Sequence, residues 1–496
     1  MYFLGLDIGS SSIKAALVDG ATNKQVAVAQ YPETEMDMIS EQVGWAEQQP
    51  EVWWKNACAA TQKALNSARI HPMEVAGIGI SYQMHGLVLV DKDHEVLRPA
   101  IIWCDSRAVE IGEEAFQGIG EEKCHKHLLN APGNFTASKL KWVRENEPEL
   151  YAKIHKILLP GDYIALKLTG ETTTTVSGLS EGIFWDFQNN EVAGFLMDHL
   201  GFDQEVIPRI VPAFGDQGRL SVTAAREIGL KPGIGIGYRA GDQPNNALAL
   251  GVINPGEVAA TGGTSGVVYG VKDKPVYDLK SRVNSFAHVN HTSEDPRIGV
   301  LLCINGAGIQ YRYIKQMMAE EGLGYTDMER VMTRVPIGAD QLRVIPFGNG
   351  AERILSNRNI GAQVNNLQFN RHKKEHFYRA ALEGVAFSFI YGIEILKELG
   401  LDITKLRVGN DNLFQSGIFS KTIATLADAP IEMVETTGAV GAARGAAFAQ
   451  GHFSSLAEAV SGDATINIYE PTTNEYQQYS NAYQAWVSDL KRLLND

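Results

Sequence analysis

Two stretches of this chain share one local pattern, and together they restrict its fold more than anything else in it. Residues 3–19, FLGLDIGSSSIKAALVD, form an apolar run, an acidic residue, a glycine-and-serine turn and a second apolar run. The spacing predicts a β-hairpin with a small, hydroxyl-rich turn. Residues 257–271, EVAATGGTSGVVYGV, repeat strand, small turn and strand. One such turn is ordinary, because glycine and serine are common turn residues. Two copies, each opening one half of the chain, point to hairpins that clamp a phosphate chain from both sides. The turn N–H groups, with the hydroxyls of Ser10, Ser11 and Ser12 in the first copy, suit an anion. Gly9 is expected to allow a positive φ and a close approach to the ligand. Lys14 adds a cation, and Asp7 at the end of the first strand is placed to hold Mg²⁺, which prefers oxygen ligands.

A chain of 496 residues is too long for one compact core, so two large domains are expected. The turn Asn254-Pro255-Gly256 lies just before the second hairpin and places the boundary near it, with domains of residues 1–248 and 249–496. The net charge of −14 disfavours non-specific binding to nucleic acid or anionic membranes. Four cysteines without a CxxC pair give neither a disulfide framework nor a thiolate zinc site. No apolar run approaches the roughly 20 residues of a membrane helix, and a reducing cytoplasm is the simplest setting.

Strands and helices are expected to alternate through most of the chain, which indicates an α/β fold. Pro50 and Glu51 begin a helix running to about Arg69. Val75 to Ser81 is a strand, followed by Tyr82-Gln83-Met84-His85-Gly86 and another strand. Pro148 separates two helices. SGLSEGIFWD, 177–186, is polar then aromatic and is expected to cover a cleft. Residues 376–396 read as a long buried helix. GAVGAARGAAFAQG, 438–451, reads as a small-residue helix that packs closely on a neighbour.

Taken in order, DIGSSSIKAALVD, GWAEQQPEVWW, SYQMHG, IIWCDSR, LLPGDYIALKLTG, RAGDQ and ATGGTSG resemble the FGGY carbohydrate kinases over most of the chain. The resemblance implies two ribonuclease H-like domains of the actin, hexokinase and Hsp70 type flanking a catalytic cleft. It implies transfer of the γ-phosphoryl group of ATP to a sugar hydroxyl, with Mg²⁺, and a small ketose as the substrate class. A homodimer is plausible in this family.

Asp242 lies in the GDQ that matches the family's catalytic motif, where a carboxylate accepts the proton of the attacking hydroxyl. Read from the residues alone, Asp two places before a proline is also a good helix N-cap, and both readings stand. By the resemblance, Met84 and His85 contact the sugar. Gln243 joins them, although the family's ketose kinases usually carry Asn there. Trp103, Asp105 and Arg107 are further candidates, with the alternative that the Asp–Arg pair is structural. The resemblance assigns Gly9 to Ser12, Lys14, and Gly263, Thr264, Ser265 and Gly266 to the ATP phosphates. Gly409 and Asn410 match its glycine-rich adenosine loop, where Val408-Gly409-Asn410 replaces a triple glycine. Domain closure on sugar binding is expected to expel water from the cleft.

Overall fold

Five strands of the first half build a mixed sheet in a computed structural model of the chain, which describes residues 1–320 and 322–495. They are β1 (Tyr2–Ile8), β2 (Ile13–Asp19), β3 (Lys24–Tyr31), β4 (Val75–Tyr82) and β5 (Gly235–Gly241). Their spatial order is β5-β4-β1-β2-β3. The hairpin β1–β2 and its neighbour β3 are antiparallel, whereas β4 and β5 run parallel to β1. Parallel pairing needs crossovers. These are α1 (Pro50–Ala68) before β4, and a long excursion before β5 that includes α2 (Pro160–Thr169) and α3 (Val176–Glu181).

The second half repeats the plan. Its strands β6 (Glu257–Gly262), β7 (Gly266–Lys272), β8 (Asn284–Ala287), β9 (Ile298–Ile304), β10 (Lys405–Gly409), β11 (Ile431–Val434) and β12 (Thr465–Tyr469) lie in the order β8-β9-β7-β6-β10-β11-β12. The inner five, β9-β7-β6-β10-β11, reproduce the order and the senses of the first sheet. The duplication expected for two hairpins therefore extends to two whole sheets.

Most expected helices form close to their expected bounds. The proline-started helix spans Pro50–Ala68, and the long buried one is α6 (Lys374–Glu398), against which α7 (Gly417–Ala427) packs. Pro148 does separate two helices, Thr136–Asn146 and Pro148–Tyr151. No helix among the described residues is long and apolar enough to cross a membrane.

Two helices occupy matching places in the duplication: α4 (Asp242–Ala249) follows β5, and α8 (Gly438–Ala449) follows β11. They pack on each other, and α8 lies across β1 and β4 of the first sheet. Here the small-residue pattern acquires its reason. A Cβ at Gly5 would stand 1.8 Å from the Ala439 carbonyl oxygen, and one at Gly79 would stand 2.0 Å from that of Ala442. Glycine in the strands and alanine and glycine on the helix bring the two backbones within a distance no larger pair permits. Asn245 Nδ2 donates to the Gly438 carbonyl at 2.8 Å and ties the starts of the two helices together.

Candidate active site between the duplicated sheets

The first turn closes with the Gly9 N–H donating to the Ser12 carbonyl at 3.2 Å. Gly9 does not take the positive φ expected of it. What demands glycine is space, since a Cβ would lie 2.9 Å from the Ser12 oxygen. Ser10 and Ser11 carbonyls are held by Gln48 Nε2 and by the Met36 N–H, at 2.7 and 2.8 Å. Ser11 is exposed, and Ser10 and Ser12 are half-buried. In the second turn, the Gly308 and Ile309 N–H groups at the start of α5 (Gly308–Met318) donate to the Gly263 and Thr264 carbonyls, at 3.1 and 3.0 Å. Thr264 and Ser265 are exposed, while Gly266 is wedged against Phe389.

Three half-buried charged groups gather beside the first turn. Asp7 pairs across the hairpin with Lys14, and its carboxylate accepts from Ser81 Oγ at 2.8 Å. Burial lifts its carboxyl above the usual range, against the pull of Ser81 and Lys14. Asp242 is the first residue of α4; Gly241 holds the cap position, so the acid sits in the first turn and not at the cap. Burial first, and the negative charge of Asp7 second, push Asp242 up to about 7, although the Gln243 amide groups donate to it. Two mutually repelling carboxylates in a desolvated recess favour a proton or a cation there.

On the other side of Asp242 lies a second cluster. His85 stands in the left-handed region, φ 60°, a conformation that costs a non-glycine residue about 1 kcal/mol and is fixed here by its surroundings. Lys139 Nζ donates to the His85 carbonyl at 2.8 Å, and the imidazole Nδ1 meets the Glu181 carbonyl at 2.9 Å. Burial, reinforced by Lys139, pulls His85 down to about 3, so the ring is neutral. With Nδ1–H donating to a carbonyl, Nε2 is left as an acceptor. Met84 is buried and packs under Gly241, where a Cβ would come within 2.6 Å of its Cγ.

Glu181, at the end of α3, is the member the sequence did not single out. It is buried, and burial first and the negative charge of Asp242 second hold its carboxyl well above the usual range. Its stretch is polar and apolar in turn, and nothing in that pattern distinguishes this glutamate from the neighbouring serines.

The remaining candidates divide. Trp103 is exposed and donates from Nε1 to Ser10 Oγ at 3.3 Å, which joins its loop to the first phosphate turn. Asp105 has no exposed surface. Both its oxygens bind Arg107, and one also accepts the Ala46 N–H at 2.6 Å. Arg107 in turn stacks on Trp45 at 3.8 Å and pairs with Glu47. This pair buttresses the loop and presents no free oxygen to a ligand, which is the structural alternative weighed for it above.

A cavity of about 500 Å³ opens beside the second turn, lined by Gly263, Thr264, Tyr311, Tyr325, Asn412 and Ser416 among others. Tyr311 and Tyr325 stack at 5.5 Å. Gly409 ends β10 next to it, and Asn410 spends its side chain on Glu435 at 2.8 Å. Besides the second turn, the lining comes from residues that follow Asn410 by two to six places, from α5 with Tyr311, and from the helix Tyr325–Met332; both tyrosines read as ordinary helix-face residues in the sequence.

Two sheets of one topology, a phosphate-suited turn on each, a carboxylate at the start of α4 and a nucleotide-sized cavity define an ATP-dependent phosphotransferase of the sugar-kinase fold. The comparisons agree. The description "FGGY family of carbohydrate kinases, N-terminal domain" matches residues 2–249. The chain belongs to the FGGY family of carbohydrate kinases. It is 28% identical over 507 residues to a xylulose kinase of Haemophilus influenzae, covering 99% of this chain and 100% of that one. It is 29% identical over 471 residues to one of Bacillus subtilis, covering 92% and 90%. Among solved structures, a xyloylose kinase from Brucella ovis superposes with a TM-score of 0.89 at 27% identity, covering 99% of each chain.

Proposed function

We propose that this kinase transfers the γ-phosphoryl group of ATP to the terminal hydroxyl of D-xylulose, giving D-xylulose 5-phosphate and ADP. The observation that carries the reading is Asp242, a carboxylate held near neutrality between the His85 cluster and the first phosphate turn. The names of the curated relatives and the QMHG at residues 83–86, which resembles xylulokinases within the family, support the choice of sugar.

In this reading residues 1–248 hold the sugar and one phosphate turn, and residues 249–496 hold the other turn and the adenosine. The ketose lies against Met84 and His85, with a hydroxyl donating to His85 Nε2 and another oxygen bonded by Gln243. Its terminal hydroxyl donates to the Asp242 carboxylate, which takes the proton as the bond to phosphorus forms. The transition state is loose, so alignment and charge stabilisation contribute more than basicity. The two turns direct N–H and hydroxyl donors at the phosphate oxygens from opposite sides.

The donor set at Asp7 is hard oxygen in a desolvated, doubly acidic recess, which fits Mg²⁺ held directly or through water. Bound there with the nucleotide, the ion would neutralise charge on the transferring group. Four free cysteines accord with a reducing cytoplasm.

A panel of ketoses and polyols in a coupled ADP-release assay tests the assignment. D-Xylulose is expected among the best substrates. A clear preference for ribulose, sedoheptulose or glycerol would reassign the enzyme to a sister activity of the family.

A further inference from the structure

The wall of the second lobe that faces His85 carries one cation without a task so far. Arg353 begins a single helical turn, Arg353–Leu355, tied to the end of β9. The buried Glu352 accepts the N–H groups of Asn305 and Gly306, at 2.9 and 2.7 Å, and Asn305 Nδ2 donates to the Ala351 carbonyl at 2.7 Å. The backbone under Arg353 is therefore fixed. On the same wall, Phe286 of β8 places its ring 5.4 Å from that of His85. The Cys303 thiol of β9 lies within electrostatic reach of both Asp242 and Arg353, and His85 also feels Arg353.

Among the described residues the Arg353 guanidinium makes no hydrogen bond and no ion pair; only its carbonyl is used, by the Ser356 N–H at 2.9 Å. The buried arginines elsewhere all close on a carboxylate: Arg107 on Asp105, Arg239 on Asp162, Arg379 on Glu383 and Arg444 on Asp463. A guanidinium partly withdrawn from water and without a protein partner keeps its donors free for a ligand oxygen.

We propose that Arg353 is a specificity-determining residue that donates, from the second lobe, to the carbonyl oxygen of an open-chain ketose whose terminal hydroxyl lies at Asp242. The inference rests on the ketose reading above. A guanidinium only donates and a carbonyl oxygen only accepts, so the two are matched without ambiguity. His85 Nε2, an acceptor, reads a hydroxyl instead. The terminal hydroxyl that would close a ketose into a furanose ring is the one being phosphorylated, so the bound sugar is open and its carbonyl is free. The polyol formed by reducing that carbonyl offers a hydroxyl whose proton finds no acceptor beside a cation. Recognition is thereby split between the lobes, and the sugar can satisfy both only when the cleft is closed.

The test compares kcat/KM for D-xylulose with that for its reduced forms, xylitol and D-arabinitol, in wild type, Arg353→Met and Arg353→Lys. The loss of a charged donor should lower the ketose value by about 10- to 100-fold in Arg353→Met. The polyol values should change by less than about 3-fold, and KM for ATP should hold. Arg353→Lys, which keeps the charge and reports on folding, should recover part of the preference. Where polyol turnover is too slow, inhibition constants give the same ratio. An unchanged ketose-to-polyol ratio in Arg353→Met, or an equal loss on both substrates, overturns the proposal. If wild type ignores D-xylulose but accepts another ketose, the substrate assignment fails, and the same ratio on that ketose and its polyol decides the role of Arg353.

Discussion

The two lobes share a strand order and differ in charge. One pair before the first turn closes, Asp7 faces Lys14; at the same place in the second hairpin, Thr261 faces Val267. The helix that follows the fifth strand starts with Asp242 in the first lobe and with Gly438 in the second. A Cβ at Gly438 would stand 2.8 Å from Asp7 Oδ2 and 3.0 Å from Asn246 Oδ1. The missing side chain on one helix thus makes room for the acid that the other lobe supplies. Duplication provides two turns of similar shape for a phosphate chain. Loss of charge from one copy leaves a single acidic recess, so the acceptor and the nucleotide have distinct ends to occupy.

The most severe way to break that asymmetry is Asp242→Asn. It should lower kcat by about 10²- to 10⁴-fold while leaving ATP binding, followed by calorimetry, largely intact. Retained turnover would remove Asp242 from its role. The wild-type enzyme should also lose kcat/KM as pH falls below about 7, because the base becomes protonated. The stability consequence has the opposite sense. The carboxyl is raised from 3.8 to about 7 by folding, so the folded state binds the extra proton and loses stability as pH rises through that window. Asp242→Asn should therefore be the more stable protein at pH 8, by at most about 4 kcal/mol, with the gap closing towards pH 4. Urea midpoints at both pH values measure it.

A smaller effect is expected where the lobes meet. Gly5→Ala drives a methyl group into the Ala439 carbonyl and should cost about 3 kcal/mol by urea unfolding. Gly263→Ala, whose new methyl group would meet nothing nearer than 3.7 Å, should be close to neutral in the same measurement. Equal losses would mean that the contact between α8 and the first sheet is not the tight one.

The smallest change sharpens the comparison of the turns. Thr264→Val removes an exposed hydroxyl that bonds nothing within the protein. It should raise KM for ATP by about 5-fold, the value of one hydrogen bond, with no change in unfolding. An unaltered KM would take the second turn out of phosphate binding.

Much of this was legible before any coordinates. The hairpins, the proline-started helix, the long apolar helix and the small-residue helix each rest on short-range rules of turn chemistry and periodicity, and they form where those rules put them. Asp242 lies beside Asp7 of the first hairpin, and the His85 cluster reaches it through Glu181. Gly9 does not take the positive φ read for it, and within the protein the proximity of the Ser12 oxygen is what requires glycine there. Asp105 and Arg107 looked like a candidate ligand pair because a sequence shows two charges side by side but not the buried geometry that turns them on each other. Glu181, Tyr311 and Arg353 carried no local signal at all; each matters through neighbours that only the fold brings to it.

The sequence by itself determined that the chain would be two α/β units with repeated phosphate turns, because strand period, glycine turns and ordered motifs are local properties of the polymer. Only the tertiary structure decided which acid is lifted to neutrality, which arginine is left unpaired and why one helix must begin with glycine. Those outcomes depend on desolvation and on distances between distant segments, and neither exists until the two sheets have packed against their shared helices.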